Sequence, residues 1–187
     1  MDTSIKRREF MGKAALAGIG LGLATSTLAF GTASVKRNKK VGIIGLDTSH
    51  SVAFAKAFNA SDAAPDLGGY KVVAAYPHGS KDIKTSVERI PGYIEDVKKL
   101  GVEIVDSIAS LLDIVDVVLL ETNDGRLHLE QALEVFKSGK TVFIDKPIAA
   151  SLPDAIAIFD AAKKYNVPVF SSSSLRYMEN AVAVRNG

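Results

Sequence analysis

The stretch "VGIIGLDTSHS", residues 41–51, decides the fold. Val41-Gly42-Ile43-Ile44 is a short apolar run without polar alternation, the pattern of a strand buried on both faces of a parallel sheet. Gly45 ends the run. A helix through Asn59 then fits, with Ser49 or Asp47 as its cap and Val52, Ala55, Phe58 and part of Phe54 on its apolar side. A strand, a glycine turn and a helix in this order open a dinucleotide-type fold, whose turn reads Gly-x-Gly-x-x-Gly. Here the six positions are Gly45, Leu46, Asp47, Thr48, Ser49 and His50, so an acid and a histidine replace the second and third glycines.

The same alternation continues downstream. Lys71 to Tyr76 reads as a second strand stopped by Pro77, and residues 92–100 suit a helix closed by Gly101. Residues 102–105 are a short strand, and 107–112 a short helix capped by Asp106 or Ser107. Ile114 to Leu120 is the strongest apolar run and leads into Glu121-Thr122-Asn123. A helix over 126–138 stops at Gly139, and a strand over 141–144 ends at Asp145-Lys146-Pro147. Ser151 opens a helix with Pro153 in its first turn, running to about Tyr165, and 167–170 form a sixth strand. The pattern predicts an α/β fold: a doubly wound parallel sheet of about six strands, Rossmann-like, with helices on both faces. Ligands bind such sheets beyond the carboxyl ends of the strands. The residues there are Gly45 to His50, Tyr76 to Gly79, Glu121 to Asp124, Asp145 to Pro147 and Ser171 to Ser174.

Upstream, Lys6-Arg7-Arg8-Glu9-Phe10-Met11-Gly12-Lys13 precedes an uncharged stretch rich in Ala, Gly and Leu, with small residues at Gly31-Thr32-Ala33. This resembles a twin-arginine export signal, so residues 1–33 are expected to direct the protein to the periplasm and to be cleaved. The apolar stretch is short and glycine-diluted for a membrane span, which needs about 20 residues. Four of the 23 basic and two of the 21 acidic residues lie in this segment, so 19 of each remain beyond it. The basic balance belongs to the label, and nucleic acid loses its support as a partner. Residues 34–40 read as a solvated linker, 41–177 as the dinucleotide-type domain. The chain has no cysteine, which excludes disulfides, thiol nucleophiles and cysteine-ligated metals. None of the three histidines has a second at helical ligand spacing, so no metal site is expected.

"GKTVFIDKP", residues 139–147, is similar to the Gly-Lys-x-Val-(x)2-Glu-Lys-Pro segment of the Gfo/Idh/MocA oxidoreductases, with Asp145 for the glutamate. Leu120-Glu121-Thr122-Asn123 and His128 fit the same pattern, and the resemblance runs from about Lys40 to Tyr177. It implies an NAD- or NADP-dependent oxidoreductase acting on a small molecule, a sugar or polyol. It further implies a second α/β domain that covers the nicotinamide, supplies an Asp-x-x-x-His pair and carries any homo-oligomer contact. Residues 178–187 stand where that domain would start. On the resemblance, Lys146 is the catalytic residue, moving the proton of the substrate hydroxyl, with Asp145 orienting it or ending the strand. The cofactor residues are Gly45, Leu46, Asp47, Thr48, Ser49, His50, Tyr76, Glu121, Thr122, Asn123, His128 and Asp145.

Three features pull against an ordinary cofactor cradle. Asp47 adds a Cβ and a negative charge where the backbone should approach a diphosphate, unless its side chain caps the helix amides at Ser49 or His50. His50 takes the place of the glycine that lets helix and strand pack closely. The second strand ends without the acidic residue that holds the adenosine ribose, leaving His78 or Ser80 for that contact. Two further readings therefore stand: a Rossmann-like ligand-binding or scaffold module that has lost dinucleotide binding, and a redox-neutral sugar-cleaving enzyme with tightly bound NAD.

Overall fold

The computed structural model describes residues 39–187. The export reading of residues 1–33 and nearly all of the linker lie outside the described residues. Six strands form one sheet in the order β3-β2-β1-β4-β5-β6, and every pair is parallel. They are β1 (Lys40–Ile44), β2 (Lys71–Tyr76), β3 (Glu103–Ile104), β4 (Val117–Leu120), β5 (Thr141–Asp145) and β6 (Val169–Ser172). The helices between them are α1 (Ser49–Asn59), α2 (Lys84–Lys99), α3 (Ile108–Ile114), α4 (His128–Lys137) and α5 (Leu152–Tyr165), with α6 (Glu179–Asn186) after the sheet. The expected doubly wound fold is the observed one.

Each strand feeds two apolar layers because successive side chains leave opposite faces. Val41, Ile43, Leu119 and Phe143 pack with Val52 and Ala55 of α1 and Val97 of α2. Ile44, Val118, Leu120, Val142 and Ile144 pack with Leu111 of α3, Phe136 of α4 and Ile158 of α5. Gly42 makes room for α3: a Cβ there would lie 3.0 Å from Leu111 Cγ. Asn59 ties the end of α1 to β2 by accepting from Val72 N (2.9 Å) and donating to Val72 O (2.8 Å).

Several boundaries differ from expectation, four of them for identifiable reasons. The helix expected over 92–100 begins eight residues earlier, at Lys84, and passes through Pro91. Pro91 faces solvent, and the packing of buried Ser86 and Val97 holds both halves of the helix in place. Ile114 ends α3 rather than opening β4, because the apolar residues on either side of Asp116 suit a helix end and a strand start alike. The junction is fixed by Asp116, which accepts from Lys40 N (2.9 Å) through its side chain and donates its own N–H to Lys40 O (2.8 Å). Val167 closes α5 by donating to Ala162 O behind Asn166, which sits in the left-handed region, so β6 starts only at Val169. Helix α4 begins at His128, two residues late, because a turn at Asp124–Leu127 precedes it. Ser107 and Ser151 cap α3 and α5 as expected, accepting from Ser110 N and Asp154 N.

Candidate active site

At the carboxyl edge of the sheet the loop after β1 is drawn tightly against its neighbours. Gly45 has φ +90°, and a Cβ on it would lie 2.6 Å from Thr122 N, so the turn admits only glycine. Gly45 N donates to Tyr76 O (2.9 Å) and Leu46 N to Pro77 O (3.0 Å), which binds this loop to the end of β2. Thr48, rather than Ser49 or Asp47, is the cap of α1; its side chain accepts from His50 N at 3.4 Å. Ser49 is the exposed first residue of that helix, whose first turn carries no acidic residue.

Asp47 does not turn back onto the helix amides. It is fully buried and bridges three loops: Oδ2 accepts from Ser80 N and Ser80 Oγ, both at 2.9 Å, and Oδ1 accepts from Asn123 N at 3.0 Å. Gly79 lies against this carboxylate, and a Cβ on it would meet Asp47 Cγ at 2.6 Å. Ser80, which the sequence reading offered to a ribose, is instead 2% exposed and committed to Asp47. Asn123 gives its side-chain amide to Ser86 Oγ on α2 at 3.0 Å. Nothing in the sequence pattern singled out Ser86, and Gly79 stood out only as a residue at the end of the second strand.

His50 points from α1 across to β5, where its Nδ1 lies 2.7 Å from Asp145 Oδ2. The same oxygen is 3.4 Å from Lys146 Nζ, and the lysine side chain is 46% exposed. Glu121, just past β4, is fully buried, and among the described residues neither of its carboxylate oxygens has a partner. Burial, then the Asp145 charge, pushes its pKa up to about 8, and Lys146 offsets part of that rise. His50, Phe54, Asp145, Ser172 and Tyr177 line a cavity of about 430 Å3 beside this group.

The remaining residues sit apart. His128 is fully buried, with Nε2 2.6 Å from Thr122 O and Nδ1 3.2 Å from Ile148 O, so its ring clasps the loops after β4 and β5 together. Thr122 is 1% exposed and its hydroxyl is unpartnered. Tyr76 meets His78 edge-on at 5.4 Å, beside a smaller cavity that reaches Gln131 on α4. Arg126 bonds Asp124 through Nε and Nη2 and reaches Asp82 at 2.7 Å, which holds the Asp124 carboxyl below its usual range. Gly45 to His50, Glu121, Asp145 and Lys146 are thus brought to one edge, Tyr76 borders it, and His128 supports it from below.

Comparison with known proteins adds to this geometry. The family model described as "Oxidoreductase family, NAD-binding Rossmann fold" matches residues 14–173. An uncharacterised oxidoreductase of Streptococcus pneumoniae serotype 4 is 33% identical over 82 residues, covering 43% of this chain and 22% of that protein. Among solved structures, the dehydrogenase MviM of Clostridium difficile superposes with a TM-score of 0.61 at 20% identity, covering 81% of this chain and 44% of that one. An Agrobacterium radiobacter oxidoreductase, in complex with NAD+, L-tartaric acid and magnesium, gives 0.60 at 20% identity over 79% and 39%. The WlbA dehydrogenase of Chromobacterium violaceum, with NADH and UDP-GlcNAcA, gives 0.59 at 17% identity over 79% and 38%. The chain spans less than half the length of each of these relatives.

Proposed function

The chain belongs to the Gfo/Idh/MocA family of oxidoreductases as its NAD(P)-binding Rossmann domain, and from that premise we propose that the whole protein is an exported NAD- or NADP-dependent enzyme acting on a sugar or polyol. One observation carries the reading. The 2.7 Å contact between His50 and Asp145 joins the start of α1 to the Asp-Lys-Pro loop, so a dinucleotide anchored at the first reaches the second.

The residues fit such a group, held from the helix side. The Gly45 turn has no room for a Cβ, α1 presents its N-terminus with no acid in the first turn and with His50 N capped by Thr48, and Ser49 adds an exposed hydroxyl. Tyr76 would border the adenosine, and Glu121 to Asn123 the nicotinamide side. When bound, the nicotinamide supplies the acceptor or donor of hydride. Lys146, half exposed just past β5 beside Asp145, would hold and pass the proton of a substrate hydroxyl. Calorimetric titration of the folded full-length protein with NAD(H) and NADP(H) tests the reading and decides between the two; binding of neither overturns it.

A second reading, a module that has lost dinucleotide binding, draws on Asp47 in the position of the second glycine. It predicts that Asp47→Gly strengthens cofactor binding, whereas a rebuilt native site is weakened by the same change. Export rests on the twin-arginine-like start of the sequence, and N-terminal sequencing of periplasmic protein checks it. Among the described residues no helix is long and apolar enough to cross a membrane.

A further inference from the structure

Glu121 poses a problem that the dinucleotide reading leaves unsolved. Its carboxylate is buried with both oxygens unpartnered, close to a second buried carboxylate, Asp145. Burying an ionised carboxylate is costly, and here two carboxyl groups crowd one place. Lys146 offsets part of this, but it approaches Asp145, and nearly half of its side chain is in solvent. The third neighbour is an imidazole. One ligand atom each from His50, Glu121 and Asp145 lies within 4.8 Å of the others.

We propose that His50, Glu121 and Asp145 form a binding site for a first-row divalent cation of the Zn2+ or Mn2+ type. One imidazole nitrogen with two carboxylate oxygens is a donor set suited to such ions. Bonds of about 2.0–2.2 Å place ligand atoms roughly 3–4 Å apart. The 2.7 Å separation of His50 Nδ1 from Asp145 Oδ2 must therefore open slightly, and all three atoms already lie within 4.8 Å of one another. The cavity beside His50 and Asp145 provides an entry path and room for water ligands. Ser172, across from Asp145 in the β5–β6 register, lines the same cavity with a buried, unpartnered hydroxyl. Lys146 is exposed and long enough to swing aside. A divalent ion neutralises both carboxylates at once, which a single lysine contact to one of them does not. The sequence hides this site because its three ligands come from α1, β4 and β5, not from one helix.

The site stands whether or not a dinucleotide binds, so it is tested without one. Chelator-stripped full-length protein is titrated with Co2+, followed by its visible absorption, and with Mn2+, followed by loss of the free-ion resonance. The expected result is one ion per chain, weakened roughly a hundredfold or more in Glu121→Gln. Asp154→Asn, on the far helix α5, serves as the control and binds as the parent does. Absence of one-to-one binding below millimolar ion, or equal binding by the parent and a folded Glu121→Gln, overturns the proposal. Circular dichroism checks folding, and Asp145→Asn provides a second variant. Loss of dinucleotide binding with metal binding intact would count against the preceding reading alone.

Discussion

Replacing Asp47 with alanine removes the shared acceptor for three donors on two loops, and the cost follows from which of them can find another partner. Ser80 Oγ can rotate. Ser80 N is fixed and buried, and an unsatisfied buried donor costs about 1–3 kcal/mol. Asn123 N lies in an exposed residue and its bond is only partly buried, so its loss is set at the low end of that range. Asp47→Ala should therefore destabilise the protein by about 3 kcal/mol. Asp47→Asn, whose carbonyl can keep both Ser80 bonds, should cost about 1 kcal/mol. Urea unfolding measures both, followed by circular dichroism and tyrosine emission, since the chain has no tryptophan. Gly79 supplies an internal check. Its absent Cβ would strike the Asp47 carboxylate, so Gly79→Ala alone is destabilising, yet it should be tolerated better once Asp47 is alanine. The double variant should be more stable than the sum of the single losses by about 1 kcal/mol or more. An Asp47→Ala protein within about 0.5 kcal/mol of the parent, or strict additivity with Gly79→Ala, would refute the bridging role.

Four other outcomes follow from the same geometry. In chelator-treated protein Glu121 keeps its proton up to about pH 8, while the unfolded chain loses it above 4.5. The native state then binds more protons between those limits, so stability falls as pH rises through the window, by about 1.4 kcal/mol per unit. Glu121→Gln cannot ionise, so its advantage should grow from nothing near pH 4.5 to about 3 kcal/mol at pH 7; a pH-independent difference in unfolding midpoint contradicts this. Lys146→Met in the full-length enzyme should lower kcat by about 10²–10⁴-fold while calorimetric NAD(P)H affinity stays unchanged. Gly45→Ala should cost at least about 2 kcal/mol in urea unfolding, combining a left-handed backbone with a contact on Thr122 N. Asp47→Gly should weaken dinucleotide binding by roughly tenfold, because the loops it joins lose their preorganisation; tighter binding in the same titration would favour the reading of a lost site.

The sheet was legible because each buried strand leaves a local trace. Lys71 to Tyr76 is bounded by Pro77 and matches β2 to the residue, and the serine–proline start of α5 is equally local. Boundaries inside mainly apolar stretches, at Ile114 and Val167, left none. The strand ends could be named from sequence, since polar residues after an apolar run mark them. Their partners could not. Asp47 reaches Ser80 across 33 positions and Asn123 across 76, and His50 reaches Asp145 across 95. Contacts at such separations have no periodicity to read, so the direction of the Asp47 carboxylate and the isolation of Glu121 emerge only once the strands are ordered.

The departures from the glycine fingerprint are coupled rather than scattered. An aspartate at position 47 needs donors and space, and the loop after β2 provides both through Ser80 and the missing side chain of Gly79. A histidine at position 50 would crowd the start of the helix unless something drew it outward, and Asp145 does so from β5. The shorter acid in the Asp-Lys-Pro loop is thus matched to the histidine facing it. Two of the substitutions that look like decay in one dimension are answered by residues on other strands. Random loss of a binding turn leaves unanswered polar groups; near this edge, among the described residues, Glu121, Thr122 and Ser172 carry buried polar atoms without a partner, and Glu121 adjoins the His50–Asp145 pair. This coupling is what supports the proposal of a rebuilt site, in which a carboxylate replaces close backbone apposition as the link between loops, over a turn that has merely lost its glycines.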